Sequence, residues 1–193
     1  QDVERQPSFV EEQAQSTEER APSAPPPDPL IGRTLDGRYR IEAVLGEGGM
    51  GVVYRAKHAV LGKPLAIKVL RAEVSRDQEV MQRFKQEAQS ASAIGNHHII
   101  EISDFGTLPD QSTYFVMEFL DGVSLTKAIE LENPMPAWRV VHIARQLCEA
   151  LGAAHASTIV HRDLKPDNIY LVKRGNEPDF VKVLDFGIAK VGG

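Results

Sequence analysis

Residues 46–51 read Gly46-Glu47-Gly48-Gly49-Met50-Gly51, between strand-forming runs at 38–45 and 52–56. Glycines at this spacing let the backbone approach phosphate oxygens closely and present N–H groups to them. The same glycines can open a helix in a dinucleotide-binding turn, so the residues after Gly51 decide between the two. Val52-Val53-Tyr54 has strand propensity without a helix cap, and the residue about twenty positions on is Lys68 rather than a ribose-binding acid. The pattern predicts a β-hairpin lying as a flap over phosphates.

Lys68 lies inside the apolar strand Pro64-Leu65-Ala66-Ile67-Lys68-Val69-Leu70, where an unpaired charge is costly. It therefore needs an anionic partner. Ser75 and Gln78 have capping-box spacing, and Val80, Phe84, Ala88 and Ala91 recur at helical spacing with Glu87 beside that stripe. A Lys68–Glu87 ion pair is expected. A further strand over 113–120 contains Met117, Glu118 and Leu120 and ends at the turn signal Asp121-Gly122. In the helix expected over 137–157, Val140, Val141, Ile143, Ala144, Leu147, Cys148, Ala150, Leu151 and Ala154 span an arc of about 180°, against a usual stripe of somewhat over 100°. Arg139, His142, Arg145, Gln146 and Glu149 fill the other side. Such a helix calls for two packing partners, with Cys148 in the core and His155 as a satisfied structural group.

The chemistry-bearing residues cluster next, in Val160-His161-Arg162-Asp163-Leu164-Lys165-Pro166-Asp167-Asn168. A strand over 169–172, the turn Arg174-Gly175-Asn176 and a strand from Phe180 to Leu184 lead into Asp185-Phe186-Gly187, a hairpin with acids at both ends. Phosphoryl transfer asks a protein for metal ligands, a carboxylate to take the hydroxyl proton, and donors that hold both reactants in line. Asp163, Asn168 and Asp185 supply the hard oxygens that Mg²⁺ prefers.

These motifs, in this order, resemble the eukaryotic-like protein serine/threonine kinases, most of all the bacterial ones, over about residues 31–193. The resemblance implies an α+β, two-lobe fold: a small antiparallel β-sheet lobe with one helix over about 31–120, then a hinge and the beginning of a helical lobe over about 121–193. It makes ATP and Mg²⁺ the cofactors. Gly46, Gly48 and Gly51 correspond to the phosphate flap, Val53 and Ala66 to the adenine ceiling, Met117 to the gatekeeper, Glu118 and Leu120 to the hinge, and Tyr170 to the adenine floor. Lys68 with Glu87 is the activating ion pair, Asp163 the catalytic base, Lys165 the contact to the transferred phosphate, and Asn168 and Asp185 the metal ligands. Lys165 also marks serine/threonine rather than tyrosine specificity. Arg162 implies control through a phosphorylated activation loop, and His161 packs on Phe186 in this family. The partners implied are proteins bearing serine or threonine, with a kinase dimer as a candidate assembly. Only six residues follow Gly187, so the family's activation loop, A-P-E motif and substrate platform are absent from the expected domain, which is truncated after Asp185-Phe186-Gly187. A nucleotide-binding module without transfer activity is the competing reading for the chain as it stands; a small-molecule phosphotransferase fits the contiguous Asp163-Leu164-Lys165-Pro166 poorly.

Charge is uneven. Residues 1–30 hold seven acids against Arg5 and Arg20, a net of −5 that equals the net charge of all 193 residues. With six prolines and few large apolar side chains, this stretch reads as a disordered acidic tail in which Phe9-Val10 is the one anchor-like pair. Residues 31–193 are neutral overall, without the basic excess of a nucleic-acid binder. No apolar run approaches the ~20 residues that span a bilayer, and the single cysteine suits a reducing compartment, so a cytoplasmic location is expected, with any membrane anchor in a further C-terminal region. His97 and His98 lack partners at metal-ligand spacing.

Overall fold

The computed structural model describes residues 28–185, without the side chains of Arg83, Glu87, Ser90 and Ala91. Most of the expected tail, with Phe9-Val10, and the pair Phe186-Gly187 lie outside the described residues.

The flap forms as a hairpin. After a two-residue strand β1 (Thr34–Leu35), β2 (Tyr39–Gly48) pairs with β3 (Gly51–His58), bringing Gly48 opposite Gly51 across a turn at Gly49-Met50. β4 (Pro64–Leu70) lies beside β3 and carries Lys68 opposite Val53. A β carbon at Gly51 would overlap the Val69 carbonyl oxygen, so close approach of β3 to β4 demands glycine there, whereas Gly46 and Gly48 border open space. Two helices, α1 (Ala72–Arg76) and α2 (Gln78–Ile94), lead to β5 (Ile102–Thr107) and β6 (Thr113–Glu118). The six strands make one antiparallel sheet in the order β1-β2-β3-β4-β6-β5.

Each face of this sheet has its own core. On one, Ile41, Tyr54, Ile67, Tyr114 and Val116 pack together, and three tyrosine hydroxyls donate to carboxylates: Tyr39 to Asp104 at 2.7 Å, Tyr54 to Asp28 at 2.8 Å, and Tyr114 to Asp36. Burial first, and the carboxylate second, pushes Tyr39 up to about 12 and the other two higher, so all three stay protonated donors. On the other face, Met81, Phe84 and Ala88 of α2 meet Leu70 and Phe115. The expected capping box is replaced. Asp77 caps α2 by accepting from Val80 N at 3.1 Å, while the Ser75 hydroxyl accepts from Thr113 N at 2.9 Å and ties the helix start to β6.

Past the hinge come β7 (Gly122–Ser124), α3 (Leu125–Leu131), α4 (Ala137–Ala156), β8 (Ile169–Arg174) and β9 (Glu177–Val183), with the strands in the order β7-β8-β9. This is the α+β, two-lobe arrangement: a sheet with one long helix, then the beginning of a helical lobe. α4 buries Ile143, Ala150 and Ala154 against β8 and β9, with Leu147 and Leu151 partly covered. Its apolar arc is only half used. Val140 and Val141 are exposed, as is Cys148, which is a surface thiol rather than a core residue. Gln146, expected on the solvent side, is 2% exposed. Its amide donates to Asp179 O at 2.8 Å and accepts from Val181 N at 3.0 Å, satisfying the outer edge of β9. The histidines of α4 exchange roles, His155 being exposed and His142 half-buried beside Gln146. Arg139 is also more than a solvated charge, since it reaches Asp179 at 2.7 Å and Glu132 at 2.5 Å. Among the described residues, no helix is long and apolar enough to cross a membrane.

Candidate active site

The site forms where β9 delivers Asp185 beneath the sheet that carries Lys68. The segment around His98 pairs with β9: Val183 N donates to His98 O at 2.7 Å, and Ile100 N donates to Val183 O at 2.9 Å. The His98 ring is buried, with Nδ1 2.9 Å from Val181 O, so that nitrogen carries the proton. Burial holds its pKa below the usual histidine value. Beyond this seam, Leu184 N donates to Asn168 O at 2.8 Å and Leu184 O lies 2.8 Å from His161 Nε2. The residue before Asp185 is thus fixed from two sides.

Lys68 Nζ reaches Asp185 Oδ1 at 3.2 Å and Oδ2 at 3.4 Å, bridging the two lobes. Glu87 lies on α2, but its side chain is outside the described residues; the described partner of Lys68 is Asp185. The side chain of Lys68 is 14% exposed, which makes a charged partner necessary. Asp185 (φ 53°) and Arg162 (φ 63°) hold left-handed backbone conformations, each costing a non-glycine residue roughly 1–2 kcal/mol. Asp36, Gln111 and Thr158 share that conformation elsewhere in the fold, but Asp185 and Arg162 hold it next to the convergence of charged groups.

Asp163, Lys165 and Asn168 form a second group a few ångströms across. Lys165 Nζ stands 3.3 Å from Asp163 Oδ2, and Asn168 Nδ2 donates to Asp163 O at 2.8 Å and Oδ2 at 3.3 Å. The Lys165 ammonium, more than any other neighbour, holds the Asp163 carboxyl below the usual carboxylate range. Asp163 is therefore ionised at neutral pH and able to accept a proton. With Nδ2 committed to Asp163, the oxygen of Asn168 is the atom left for a cation. Asp167 is occupied elsewhere, accepting from Thr126 Oγ1 at 2.8 Å.

The expected adenine-side residues distribute over four strands and the hinge. Val53 is on β3, Ala66 on β4 opposite Met117 of β6, and Tyr170 on β8 opposite Ser124; Leu120 comes just after β6. Glu118 has a side-chain role that its hinge position did not announce. Its Oε1 accepts from Lys182 Nζ at 2.6 Å and from Glu101 N at 3.0 Å, on the far side of the hinge. Lys182 carried the same signal as Lys68, a cation within an apolar strand, and could have been singled out on that ground. A hollow of about 640 Å³ lies at this back side, lined by Glu118, Phe119, Leu120 and Lys182, and none of Lys68, Asp163, Asn168 or Asp185 borders it. Among the described residues, no three His, Cys, Asp or Glu side chains converge as a metal cluster. His97 and His98 instead stack on Phe180.

The sequence profile of the protein kinase domain matches residues 39–192. The chain belongs to the protein kinase family. This kinase chain is 44% identical over 167 residues to the serine/threonine-protein kinase pkn3 and 47% over 171 residues to the serine/threonine-protein kinase Pkn1, both of Myxococcus xanthus. It is 42% identical over 160 residues to the serine/threonine-protein kinase PrkC of Bacillus subtilis. The three alignments take in 86%, 89% and 83% of this kinase chain but only 30%, 24% and 24% of those relatives. Among solved structures, the PknI kinase domain of Mycobacterium tuberculosis matches with a TM-score of 0.69 at 30% identity, over 82% of this chain and 62% of that one.

Proposed function

We propose that this chain is the nucleotide-binding part of a kinase that transfers a phosphoryl group from ATP to serine or threonine hydroxyls of proteins. The observation that carries this reading is the Lys68–Asp185 bridge at 3.2 Å, set above the Asp163–Lys165–Asn168 group. In this reading residues 31–120 form the nucleotide-binding lobe, 121–193 begin the helical lobe, and the protein works in the cytoplasm.

The donor set suits Mg²⁺: the carboxylate of Asp185 and the amide oxygen of Asn168 are hard ligands, and two protein ligands leave room for water and substrate phosphates. Mg²⁺ offsets the negative charge of the triphosphate when bound. Lys68 holds the α and β phosphates, a position for which its bond to Asp185 orients it. Gly46 and Gly48, open on their outer sides, bring backbone N–H groups over the phosphates, while Gly51 fixes the hairpin against β4. Asp163 takes the proton of the attacking hydroxyl, and Lys165 draws charge from the transferred group.

If these residues form one site, ATP raises the melting temperature only with Mg²⁺ present, because the metal screens the charge that Asp185 would otherwise repel. Thermal-shift scans of the chain and of Asp185→Ala test this. Equal stabilisation by ATP alone, or undiminished binding by Asp185→Ala, would place the nucleotide elsewhere.

A further inference from the structure

We propose that Arg71 is a positioning residue for the phosphate flap, holding the tip of the β2–β3 hairpin over the cleft through Glu47 and Gly48. Packing does not fix that tip. From Glu42 onward every residue of β2 is exposed, and Gly46, Gly48 and Gly49 border open space. Arg71 supplies the restraint. Its place is set by the end of β4, where Leu70 lies opposite Gly51 and Arg71 N donates to Met50 O at 2.9 Å. From there the guanidinium reaches back along the hairpin, and Nη2 donates to Glu47 Oε1 at 2.9 Å and to Gly48 O at 3.3 Å. Glu47, Gly48 and Met50 are thus all bonded by the one residue that follows β4.

Glu47 makes this restraint consequential. It is the one acid in Gly46-Glu47-Gly48-Gly49-Met50-Gly51, a loop that the proposed function sets over a triphosphate, and the inference rests on that function. An unpaired carboxylate there repels the phosphates, and a wandering tip disperses the N–H groups that should meet them. Paired with Arg71, the same carboxylate becomes the handle by which the flap is held. The two side chains are 48% and 61% exposed, so their bond adds little to the stability of the fold. Its effect is on where the tip lies. Arginine suits this task better than lysine, because a planar guanidinium directs its N–H groups toward a carboxylate and a carbonyl at once, whereas an ammonium is a single point of charge.

Affinities of the 193-residue chain for ATP with Mg²⁺ and for adenosine, measured by titration calorimetry, separate the flap from the rest of the site. In Arg71→Ala the ATP affinity should fall about 3- to 10-fold, the scale of an exposed pair made more important by the adjacent triphosphate. Adenosine, which has no phosphates for the flap to meet, should bind as before, and the melting temperature without nucleotide should not move. Arg71→Lys, which keeps the charge and loses the fork, should lie between. Made on Glu47→Ala, the Arg71→Ala substitution should cost less than it does on the parent, because the two residues act as a pair. Without nucleotide, the amides of residues 48–51 should exchange faster in Arg71→Ala. An unchanged ATP affinity, an equal loss for adenosine, or the same cost in both backgrounds overturns the inference, as do flap amides that exchange at the parent's rate. If the parent chain binds no ATP, it is the proposed function that fails, and amide exchange still decides whether Arg71 holds the flap.

Discussion

Asp163 and Lys165 sit 3.3 Å apart, and that distance sets the chemistry available to the carboxylate. Because Lys165 and Asn168 stabilise the charged form, Asp163 loses its proton below its ordinary value of 3.8. It remains an acceptor throughout the neutral range. Removing Lys165 takes away the first cause, so a carboxyl NMR titration of Lys165→Ala should show the midpoint of Asp163 moving up, still well short of neutral pH. An unmoved midpoint would mean that Lys165 is not what holds it down. In the full-length protein, Asp163→Asn preserves the shape of the group and removes its basicity. Phosphorylation should then fall about 100- to 10,000-fold while ATP binding stays nearly intact. Ordinary turnover by that variant, measured on a serine or threonine peptide, would end the assignment of Asp163 as the base.

Elements built on strong periodicity were legible before the structure; those defined by a neighbour's unmet hydrogen bonds were not. The flap hairpin, the Lys68 strand and the β8–β9 hairpin follow from alternation and turn residues, and α4 follows from its apolar repeat. The start of α2 was misread because two capping residues stand two apart, and the demand of Thr113 N draws Ser75 away from the helix. β5 was missed because its alternation is carried by serine, aspartate and glycine rather than by large apolar residues. Gln146 escaped because helical periodicity counts any glutamine as solvent-facing, whereas β9 is an edge strand whose N–H and C=O groups need partners. The carboxylates and Lys68 of the candidate site were legible as residue types, but the Lys68–Asp185 bridge depends on how two lobes meet, through residues 117 apart in sequence. Leucine at 146 keeps the volume but leaves Asp179 O and Val181 N buried without partners, at about 1–3 kcal/mol each. Urea denaturation of Gln146→Leu should show a loss of at least one such increment; a change within about 0.5 kcal/mol, the level of an ordinary surface substitution, would show that water replaces the amide.

Over the whole chain, the two lobes are joined at the His98–Val183 seam, the Lys182–Glu118 pair and the Lys68–Asp185 bridge, so the cleft is fixed on both sides of the hinge. The outer face of α4 has no comparable covering among the described residues: Trp138 and Val141 are each 67% exposed and Val140 is 48% exposed. Burying a large apolar side chain contributes roughly 1.5–3 kcal/mol, so leaving three in water forgoes an amount comparable with the ~5–15 kcal/mol of a whole domain. Charge offers little protection, because residues 31–193 are neutral overall and the surplus acids sit in the first thirty positions. Exposed large apolar side chains on a neutral body favour association. The 193-residue chain should therefore self-associate and bind a hydrophobic dye, and Val141→Lys with Trp138→Gln should reduce both without lowering the melting temperature, since neither side chain supports the core. Sedimentation and dye fluorescence of the two proteins decide the matter: a well-dispersed parent chain, or a double variant that associates equally, would locate the adhesive surface elsewhere than on α4.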